Sequence, residues 1–350
     1  LVDAYGEVEV YLRRCVPELL GGDLNAVQSI ASGVWLLRVG AVRRVAKYHP
    51  FAPLTRGKRY DVLHVEREVL NALAEAGCRV PRLIALDEKA FFAFYEWVGN
   101  ETLDDWAHRS SADNTKLIDG LLRNQRAIDA VLARQSDRWA ACVAPGGDMA
   151  SLTDRWASAC QRAVWGAEAL LGRIGRPPVT ADIRPLIEQI GAELALRSPA
   201  LGSSDYNARN IVISPHGEAF FIEFSKLSWD WTERRIVQYT TCMGSGYDRG
   251  VMRSLLDARA ARSYAELQGS NALRALDGHQ VIFLLNAAAT LCAALDRPTE
   301  SYHAALLRAW QNPPQRLQVL ADALGTPLSD DEHIGSLRAV FALHKREEQQ

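Results

Sequence analysis

The alternation of apolar and polar positions divides the chain into a first part rich in strands and a second part rich in helices. In the first part, residues 3–20 and 61–76 repeat apolar side chains with helical spacing, and each run stops at a glycine. Runs of β-branched and aromatic residues predict strands at 27–39 (with a turn inside), 43–48, 81–86 and 90–98. From residue 103 onwards helical spacing dominates, and helices are predicted at 117–132, about 150–172, 181–196, 236–240, 251–268, 272–295, 300–323 and 331–345.

One short stretch interrupts the helical part. Two apolar runs, 211–213 and 220–222, flank a turn that contains proline and glycine, which predicts a β-hairpin. A polar loop before the hairpin carries Asp205 and Asn210, and Glu223 ends its second strand, so three oxygen-bearing side chains should meet at one end of a small sheet. Carboxylate and amide oxygens suit Mg²⁺, and a carboxylate that holds no metal can accept a proton from an attacking hydroxyl.

This run, Ser-Asp-x-x-x-x-Asn followed by a hairpin and Ile-Glu-Phe, resembles the catalytic loop and metal-binding segment of the aminoglycoside phosphotransferase and choline kinase family. That family is the small-molecule branch of the protein-kinase-like fold, and its usual pattern is His-Gly-Asp-x-x-x-x-Asn, then Ile-Asp-Phe. The chain departs from it at Ser203-Ser204 and at Glu223. Ser203 cannot supply the imidazole that usually braces the catalytic loop, so we expect support for the loop from elsewhere.

The resemblance implies an α+β, bilobal protein-kinase-like fold. Residues 1–98 would form an ATP-binding lobe around an antiparallel sheet and end at the hinge, and residues 99–350 a mostly helical lobe with the catalytic loop and an acceptor pocket. It further implies that Asp205 is the catalytic residue and that Asn210 and Glu223 bind Mg²⁺ ions that bridge the phosphates of ATP.

A lysine and a glutamate in the first part fit the same resemblance. Val45-Ala-Lys47 resembles the strand lysine of kinases, which pairs with the α- and β-phosphates, although an isolated lysine is better explained as a solvated residue of a strand. On a helical wheel Glu66 falls inside the apolar arc of helix 61–76, whereas Glu68 lies about 160° away from it. A buried carboxylate must find a cation, so Glu66 is expected to pair with Lys47. Glu68 is the alternative partner, and Glu66 could also pair with a nearby arginine for stability alone.

Four further positions complete the expected nucleotide site. Ser32 and Gly33 lie in the turn between the first two strands, which would either cover the phosphates or form an ordinary β-turn. The resemblance places the hinge near Glu96 and Val98, whose backbone would meet adenine. One of the neighbouring aromatics, Tyr95 and Trp97, should lie in the core, and the sequence does not decide which.

Composition narrows the classes of protein that remain. With 350 residues, 48% hydrophobic and 23% charged, the chain is an ordinary globular protein long enough for two lobes. A net charge of −2 makes nucleic acid an unexpected partner. Uninterrupted apolar runs are far shorter than about 18 residues, and no secretory signal is recognisable, so neither a membrane partner nor export is expected. Six scattered cysteines without a Cys-x-x-Cys motif fit a reducing cytoplasm.

The expected function is therefore transfer of the γ-phosphoryl group of ATP, or of another nucleoside triphosphate, to a hydroxyl of a small molecule, by a monomer or homodimer. The acceptor could be an aminoglycoside, sugar, nucleoside or amino alcohol. The two departures from the family pattern also allow a nucleotide-binding pseudokinase or regulatory module. The same fold could instead carry nucleotidyl transfer or use a protein acceptor.

Three acids follow the hairpin near the expected acceptor pocket, Asp230, Glu233 and Asp248, but they form no dense cluster of the kind that would suit a polycationic aminoglycoside. Asp230 is favoured as an anchor for the following helix. Arg209, next to Asn210, could add positive charge near the phosphates, but a surface role or a structural pair with an acid is favoured.

Overall fold

The computed structural model describes residues 2–109, 113–175, 183–244, 252–310 and 312–342. Helix α1 (Val2–Leu20) precedes five strands that form one antiparallel sheet in the order β1-β2-β3-β5-β4. The strands are β1 (Leu24–Ala31), β2 (Val34–Val39), β3 (Val42–Tyr48), β4 (Leu83–Asp87) and β5 (Phe92–Glu96). The predicted strands of the first part are therefore confirmed, with small shifts at their ends.

Between β3 and β4 the chain forms α2 (Ala52–Thr55) and α3 (Val62–Glu75). The Asp61 side chain caps α3 by accepting hydrogen bonds from the backbone N–H groups of Leu63 and His64. The apolar face of the helix, which includes Val69 and Leu73, is fully buried. This confirms the predicted helix and its orientation.

The second part is mostly helical. It contains α4 (Leu103–Arg109), α5 (Thr115–Arg134), α6 (Ser136–Ala140), α7 (Met149–Arg173), α8 (Ile183–Ala195), α9 (Thr232–Tyr239), α10 (Ala258–Gln268), α11 (Ser270–Asp296), α12 (Ser301–Ala309), α13 (Pro313–Leu324) and α14 (Glu332–Ala342). Helix α11 lies in the middle of this part and packs against α7, α9, α10 and α13.

Short strands inside the helical part position the loop that carries Asp205. They are β6 (Glu101–Thr102), β7 (Ala200–Ser203), β8 (Ile211–Ile213), β9 (Ala219–Phe221), β10 (Leu227–Asp230), β11 (Thr241–Cys242) and β12 (Arg253–Ser254). Strands β8 and β9 form the predicted hairpin, with Ile211 opposite Phe221. Strand β7 pairs with β10, so the segments that enter the loop and leave the hairpin lie side by side.

Two predicted helices differ from the structure. The helix predicted at 251–268 begins only at Ala258, because β12 pairs with β11 and the Asp257 side chain then caps the helix. The helix predicted at 300–323 is divided into α12 and α13, since Pro313 and Pro314 begin a new helix and cannot continue the preceding one. Residues 245–251, which include Asp248 and most of a glycine-rich turn, lie outside the described residues.

Helix α11 is more apolar over its length than the short uninterrupted apolar runs of the sequence indicate. By length and composition it could cross a membrane, with a mean hydropathy of 1.5 over its most apolar window, yet 72% of that window is buried inside the molecule. The apolar runs of the helix are short in the sequence because single polar residues, such as Asn286 and Thr290, interrupt them. A core helix of a folded domain has this burial.

The hydrophobic core is continuous between the two parts. Val69 and Leu73 of α3 belong to the same cluster of buried side chains as Leu121 of α5 and Phe221 of β9. A separate cluster lies between the N-terminal sheet and α1, and another surrounds α7 and α11. The packing of α3 therefore fixes the position of Glu66 relative to the hairpin.

Candidate active site

Asp205 lies on an exposed loop between β7 and β8, and asparagines on the same loop hold it. Asn207 Nδ2 donates a hydrogen bond to Asp205 Oδ1 at 2.8 Å. Asn210 Nδ2 donates to the backbone carbonyl of Asp205 at 2.7 Å. A single 3₁₀ turn, Ala208–Asn210, leads from this loop into the hairpin. The carboxylate is thus open to solvent while the backbone that carries it is fixed.

The Ser203 hydroxyl connects this loop to Glu223. Ser203 Oγ donates to the carbonyl oxygen of Glu223 at 2.5 Å and accepts the backbone N–H of Asp205 at 3.1 Å. Glu223 has a φ of +68°, a left-handed conformation that costs a non-glycine residue roughly 1–2 kcal/mol. We expected other residues than Ser203 to support the loop. Ser203 itself supports it, because its hydroxyl bonds to both Glu223 and Asp205.

A second brace comes from Arg235, which is 1% exposed. Its guanidinium donates hydrogen bonds to four backbone carbonyls on the paired strands β7 and β10, those of Ala200, Ser203, Ser228 and Asp230. A Cβ atom on Gly202 would lie 2.8 Å from Arg235 Cζ, so only glycine leaves room for the guanidinium. The sequence analysis missed both residues. The available signal was the spacing of Arg235 midway between Trp231 and Tyr239, four residues from each on the buried face of α9.

Lys47 reaches into the cleft between the sheet and the hairpin, where two carboxylates share it. Lys47 Nζ donates to Glu223 Oε1 at 2.5 Å and lies 4.0 Å from Glu66 Oε1. Glu68 instead contacts Arg67 and Arg138. The structure thus brings Lys47, Glu66 and Glu223 together and leaves the alternative partner Glu68 outside the cleft.

Charges around Glu66 determine its protonation. Burial would raise the pKa of Glu66, but the charges of Lys47 and His49 and hydrogen bonds from His49 and Tyr95 outweigh it and lower the pKa to about 2. Burial also lowers the pKa of Lys47, yet the carboxylates of Glu66 and Glu223 hold it above the ordinary value. At neutral pH the cleft therefore contains a charged lysine beside the ionised carboxylate of Glu66.

A cavity of about 140 Å³ lies beside this lysine. Its walls are mostly apolar and come from both parts of the chain, including Val34, Val45, Leu70, Val98, Val212 and Ile222. Lys47, Glu66 and Glu223 also line the cavity, and so does Glu96 at the end of β5. Mostly apolar walls with a few charged groups are typical of small-ligand sites.

The remaining predicted positions fall into two groups. Glu96 and Val98 line the cavity, although the Glu96 carboxylate is also bound by Arg82 at 2.9 Å. Ser32 and Gly33 form the turn before Val34, which pairs with Lys47, but they are not among the residues that line the cavity. The structure thus places the turn close to the lysine end of β3 without a direct contribution to the walls.

The aromatic pair that the sequence left open is resolved. Tyr95 is buried, and its hydroxyl lies 3.2 Å from His49 Nε2. Trp97 is half-buried, lies under the Arg43 guanidinium and donates its Nε1–H to Asn100. Tyr95 is therefore the core residue of the pair.

The acids considered for the acceptor pocket have structural roles where they are described. Asp230 is 1% exposed and accepts hydrogen bonds from Arg234, Tyr206 and the backbone of Trp231. Glu233 is buried beside Arg197 and Tyr264. Arg209 lies 3.6 Å from the buried Asp104, as expected for a structural pair.

The donor set at the hairpin fits Mg²⁺ by its chemistry. Within the ranges that the structure describes, no three His, Cys, Asp or Glu side chains form a metal cluster. Asn210 and Glu223 offer one amide and one carboxylate oxygen donor, and the backbone N–H of Ile222 bonds to the carbonyl of Asn210 at 3.0 Å, which holds the two segments together. Mg²⁺ commonly takes only one or two carboxylates from the protein and completes its shell with phosphates and water.

Solved structures of small-molecule phosphotransferases share this fold. The chain is similar to macrolide 2'-phosphotransferase from Brachybacterium faecium, with 14% identity, a TM-score of 0.52 and coverage of 87% of this chain and 98% of that chain. It is also similar to spectinomycin phosphotransferase in complex with ADP and spectinomycin, with 10% identity, a TM-score of 0.51 and coverage of 95% and 98%.

At these identities the comparison concerns the fold alone. No protein-family model matches the sequence, and no curated protein matches it. The α+β, protein-kinase-like fold expected from the catalytic loop is confirmed, with an antiparallel sheet in the N-terminal part and a helical C-terminal part. The chain is thus a divergent example of the fold that these phosphotransferases share.

Proposed function

We propose that this protein transfers the γ-phosphoryl group of ATP to a hydroxyl of a small molecule. The observation that carries the proposal is the meeting of Lys47 with Glu66 and Glu223 in the lining of a mostly apolar cavity, next to the braced loop of Asp205. The fold is that of proteins named as macrolide and spectinomycin phosphotransferases, one of them in complex with ADP, which supports a nucleotide in the cavity.

Each residue has a distinct part in this reaction. The apolar walls would hold the base, and Lys47 would pair with the α- and β-phosphates. Asp205 would orient the acceptor hydroxyl and accept its proton. The hydroxyl oxygen would then bond to the γ-phosphorus as the bond from this phosphorus to the leaving ADP breaks. Asn210 and Glu223 would hold Mg²⁺, which when bound neutralises charge on the phosphates. The chemistry is mainly positioning and charge neutralisation, so the fixed backbone of the Asp205 loop matters as much as its carboxylate.

Mass spectrometry of reactions with Mg-ATP tests the proposal. Sugars, nucleosides, amino alcohols and aminoglycosides are offered as acceptors, and a product heavier by one phosphoryl group is expected for at least one of them. Asp205→Asn should lower the rate by about 10²–10⁴-fold, because the general base is lost, with little change in nucleotide affinity. Asp154→Asn, a change on the exposed face of α7, is the matched control and should leave the rate unchanged.

The outcomes separate this function from its rival. Nucleotide binding without a product for any acceptor class would favour a nucleotide-binding module, which the departures at Ser203 and Glu223 first suggested. Full activity in Asp205→Asn would exclude the role of Asp205. Parallel reactions with Mg-GTP decide whether ATP is the preferred donor.

We further propose an acceptor without several positive charges. Asp230 and Glu233 are buried and paired with arginines, so neither presents a free carboxylate to a cationic ligand. Neutral polyols and nucleosides should therefore be phosphorylated with a higher kcat/KM than polycationic aminoglycosides. The reverse order in a direct competition assay would contradict this proposal.

A further inference from the structure

His49 was not among the site residues predicted from the sequence. Its side chain nevertheless contacts two residues that line the cavity, Glu66 and Tyr95. It follows Lys47 by two residues, so both side chains leave the same face of the strand. Its backbone N–H donates to the carbonyl of Phe91, which extends the pairing of β3 with the neighbouring strand. The side chain is 4% exposed. A buried imidazole at this position can act only on what touches it.

The imidazole faces Glu66. His49 Nε2 lies 3.0 Å from Glu66 Oε2, whereas Lys47 Nζ lies 4.0 Å from Oε1. His49 Nε2 also lies 3.2 Å from the hydroxyl of Tyr95, so the imidazole lies close to both the carboxylate and the phenol. The imidazole of His49 is thus closer to the Glu66 carboxylate than Lys47 is, and Lys47 lies closer to Glu223.

We propose that His49 is a positioning residue of the nucleotide site, which holds Glu66 so that Lys47 is free to reach the phosphates. This rests on the proposed function, in which Lys47 contacts the nucleotide. A lysine that leaves a buried carboxylate leaves an uncompensated charge behind, which is costly in a low-dielectric interior. Glu66 presents one carboxylate oxygen to His49 and the other to Lys47, so the polar contact with His49 remains when Lys47 moves away.

Two groups face the His49 imidazole, Glu66 on α3 and Tyr95 on β5. Lys47 lies on the strand that precedes His49, and Glu223 lies beyond the lysine. The contact between His49 and Glu66 does not involve Lys47. It therefore remains when the lysine turns towards the phosphates.

Direct measurement of Mg-ATP binding and of steady-state rates tests the proposal. For His49→Leu, which removes the polar contact with Glu66, we expect the Kd and KM for ATP to rise about 10-fold, with little change in the KM of the acceptor. His64→Gln, a change on the exposed side of α3, is the control and should behave as the wild type. A purely structural role would lower stability without separating the KM of ATP from the KM of the acceptor.

Glu66→Gln provides a second, independent variant. It removes the carboxylate through which His49 is proposed to act, so adding His49→Leu to Glu66→Gln should change the Kd for ATP by less than about twofold. A His49→Leu protein whose Kd for ATP stays within about twofold of the wild type would overturn the inference. So would a His49→Leu change that weakens ATP binding about 10-fold in the Glu66→Gln background as well. A wild-type protein that binds no nucleotide would instead overturn the proposed function together with the inference.

Discussion

Ser203 joins two segments of the candidate site through one hydroxyl. The side chain is 2% exposed, and it joins the carbonyl of Glu223 to the N–H of Asp205. A serine has one donor and two acceptor positions, which is enough for both bonds. The hydroxyl therefore holds the Asp205 loop next to the end of the hairpin.

Ser203→Ala should separate the loop from Glu223. A carbonyl and an N–H that are partly buried lose their partner, so we expect the free energy of unfolding to fall by about 1 kcal/mol. The phosphoryl-transfer rate should fall by about 10–100-fold because Asp205 is no longer held in position. Urea unfolding and kcat measurements check both values.

Ser204→Ala is the matched control for this change. Ser204 is exposed, and its recorded bond to the carbonyl of Lys226 uses the backbone N–H, which alanine keeps. Its stability and rate should stay close to those of the wild type. Equal losses in both variants would mean that the loop tolerates no change and that the Ser203 hydroxyl has no special part.

Asp129 predicts a pH dependence of stability. Burial raises its pKa to about 6, although the charge of Arg235 and hydrogen bonds from Thr232 and Gln125 act in the opposite direction. The folded state therefore holds the proton more tightly than the unfolded state. The contribution is fully present below about pH 4, and stability falls as the pH rises through 6.

Asp129→Asn should remove this fall of the free energy of unfolding with rising pH. At pH 7 the variant should then be more stable than the wild type by up to about 3 kcal/mol. Urea titrations at pH values between 4 and 8 measure it. The assignment would be contradicted if Asp129→Asn and the wild type had the same free energy of unfolding at every pH in this range.

At the scale of elements, the pair of β7 and β10 is the foundation of the site. Arg235 from α9 bonds to carbonyls of both strands, and Gly202 provides the space for it. A buried guanidinium stabilises the fold only when its donors find acceptors, and four carbonyls meet that need. Two short strands and one helix are thus fixed relative to each other by a single side chain.

Gly202→Ala should disrupt this group of elements. Its Cβ would lie 2.8 Å from Arg235 Cζ, so the guanidinium or the strand must move, at a cost of about 1–3 kcal/mol in the free energy of unfolding. Gly172→Ala is the control, since nothing lies within 4 Å of its added Cβ on the exposed face of α7. There the helix should gain about 0.5–1 kcal/mol. Thermal and urea unfolding of both proteins would reveal the opposite signs, and a stable Gly202→Ala protein would show that β7 can shift freely.

At the scale of the whole molecule, the shared core favours a single unit of folding. Val69 and Leu73 of α3 are buried in one cluster with Leu121 of α5, on the other side of the expected boundary at 98/99. Residues 1–98 alone would expose this face of α3 to water. The division into lobes at 1–98 and 99–350 stays a prediction.

We expect the intact protein to unfold in one cooperative calorimetric transition and a fragment of residues 1–98 to show none. The physical reason is the loss of apolar burial on α3, at roughly 25 cal/mol for each Å² exposed. Circular dichroism of the fragment during heating checks this, with the intact chain as the reference. A sharp transition of the isolated fragment would mean that the lobes fold independently.

The sequence by itself determined features that depend on local order. Strand and helix periods, the hairpin at 211–222 and the inward position of Glu66 all follow from spacing along a few neighbouring residues. Lys47, Asp205 and Asn210 were found because a short motif fixes their neighbours. The α+β fold followed from the resemblance that these residues carry, and the structure confirms it.

Only the tertiary structure decided which distant groups meet. The pairing of β7 with β10 joins segments more than 20 residues apart, and each strand is too short to stand out from its own sequence. The contact of His49 with Glu66, the bonds of Arg235 and the link from Ser203 to Glu223 depend on how helices pack on strands. The local sequence around a buried polar side chain shows only that the side chain needs a hydrogen-bond partner. Which group becomes that partner depends on how the chain packs.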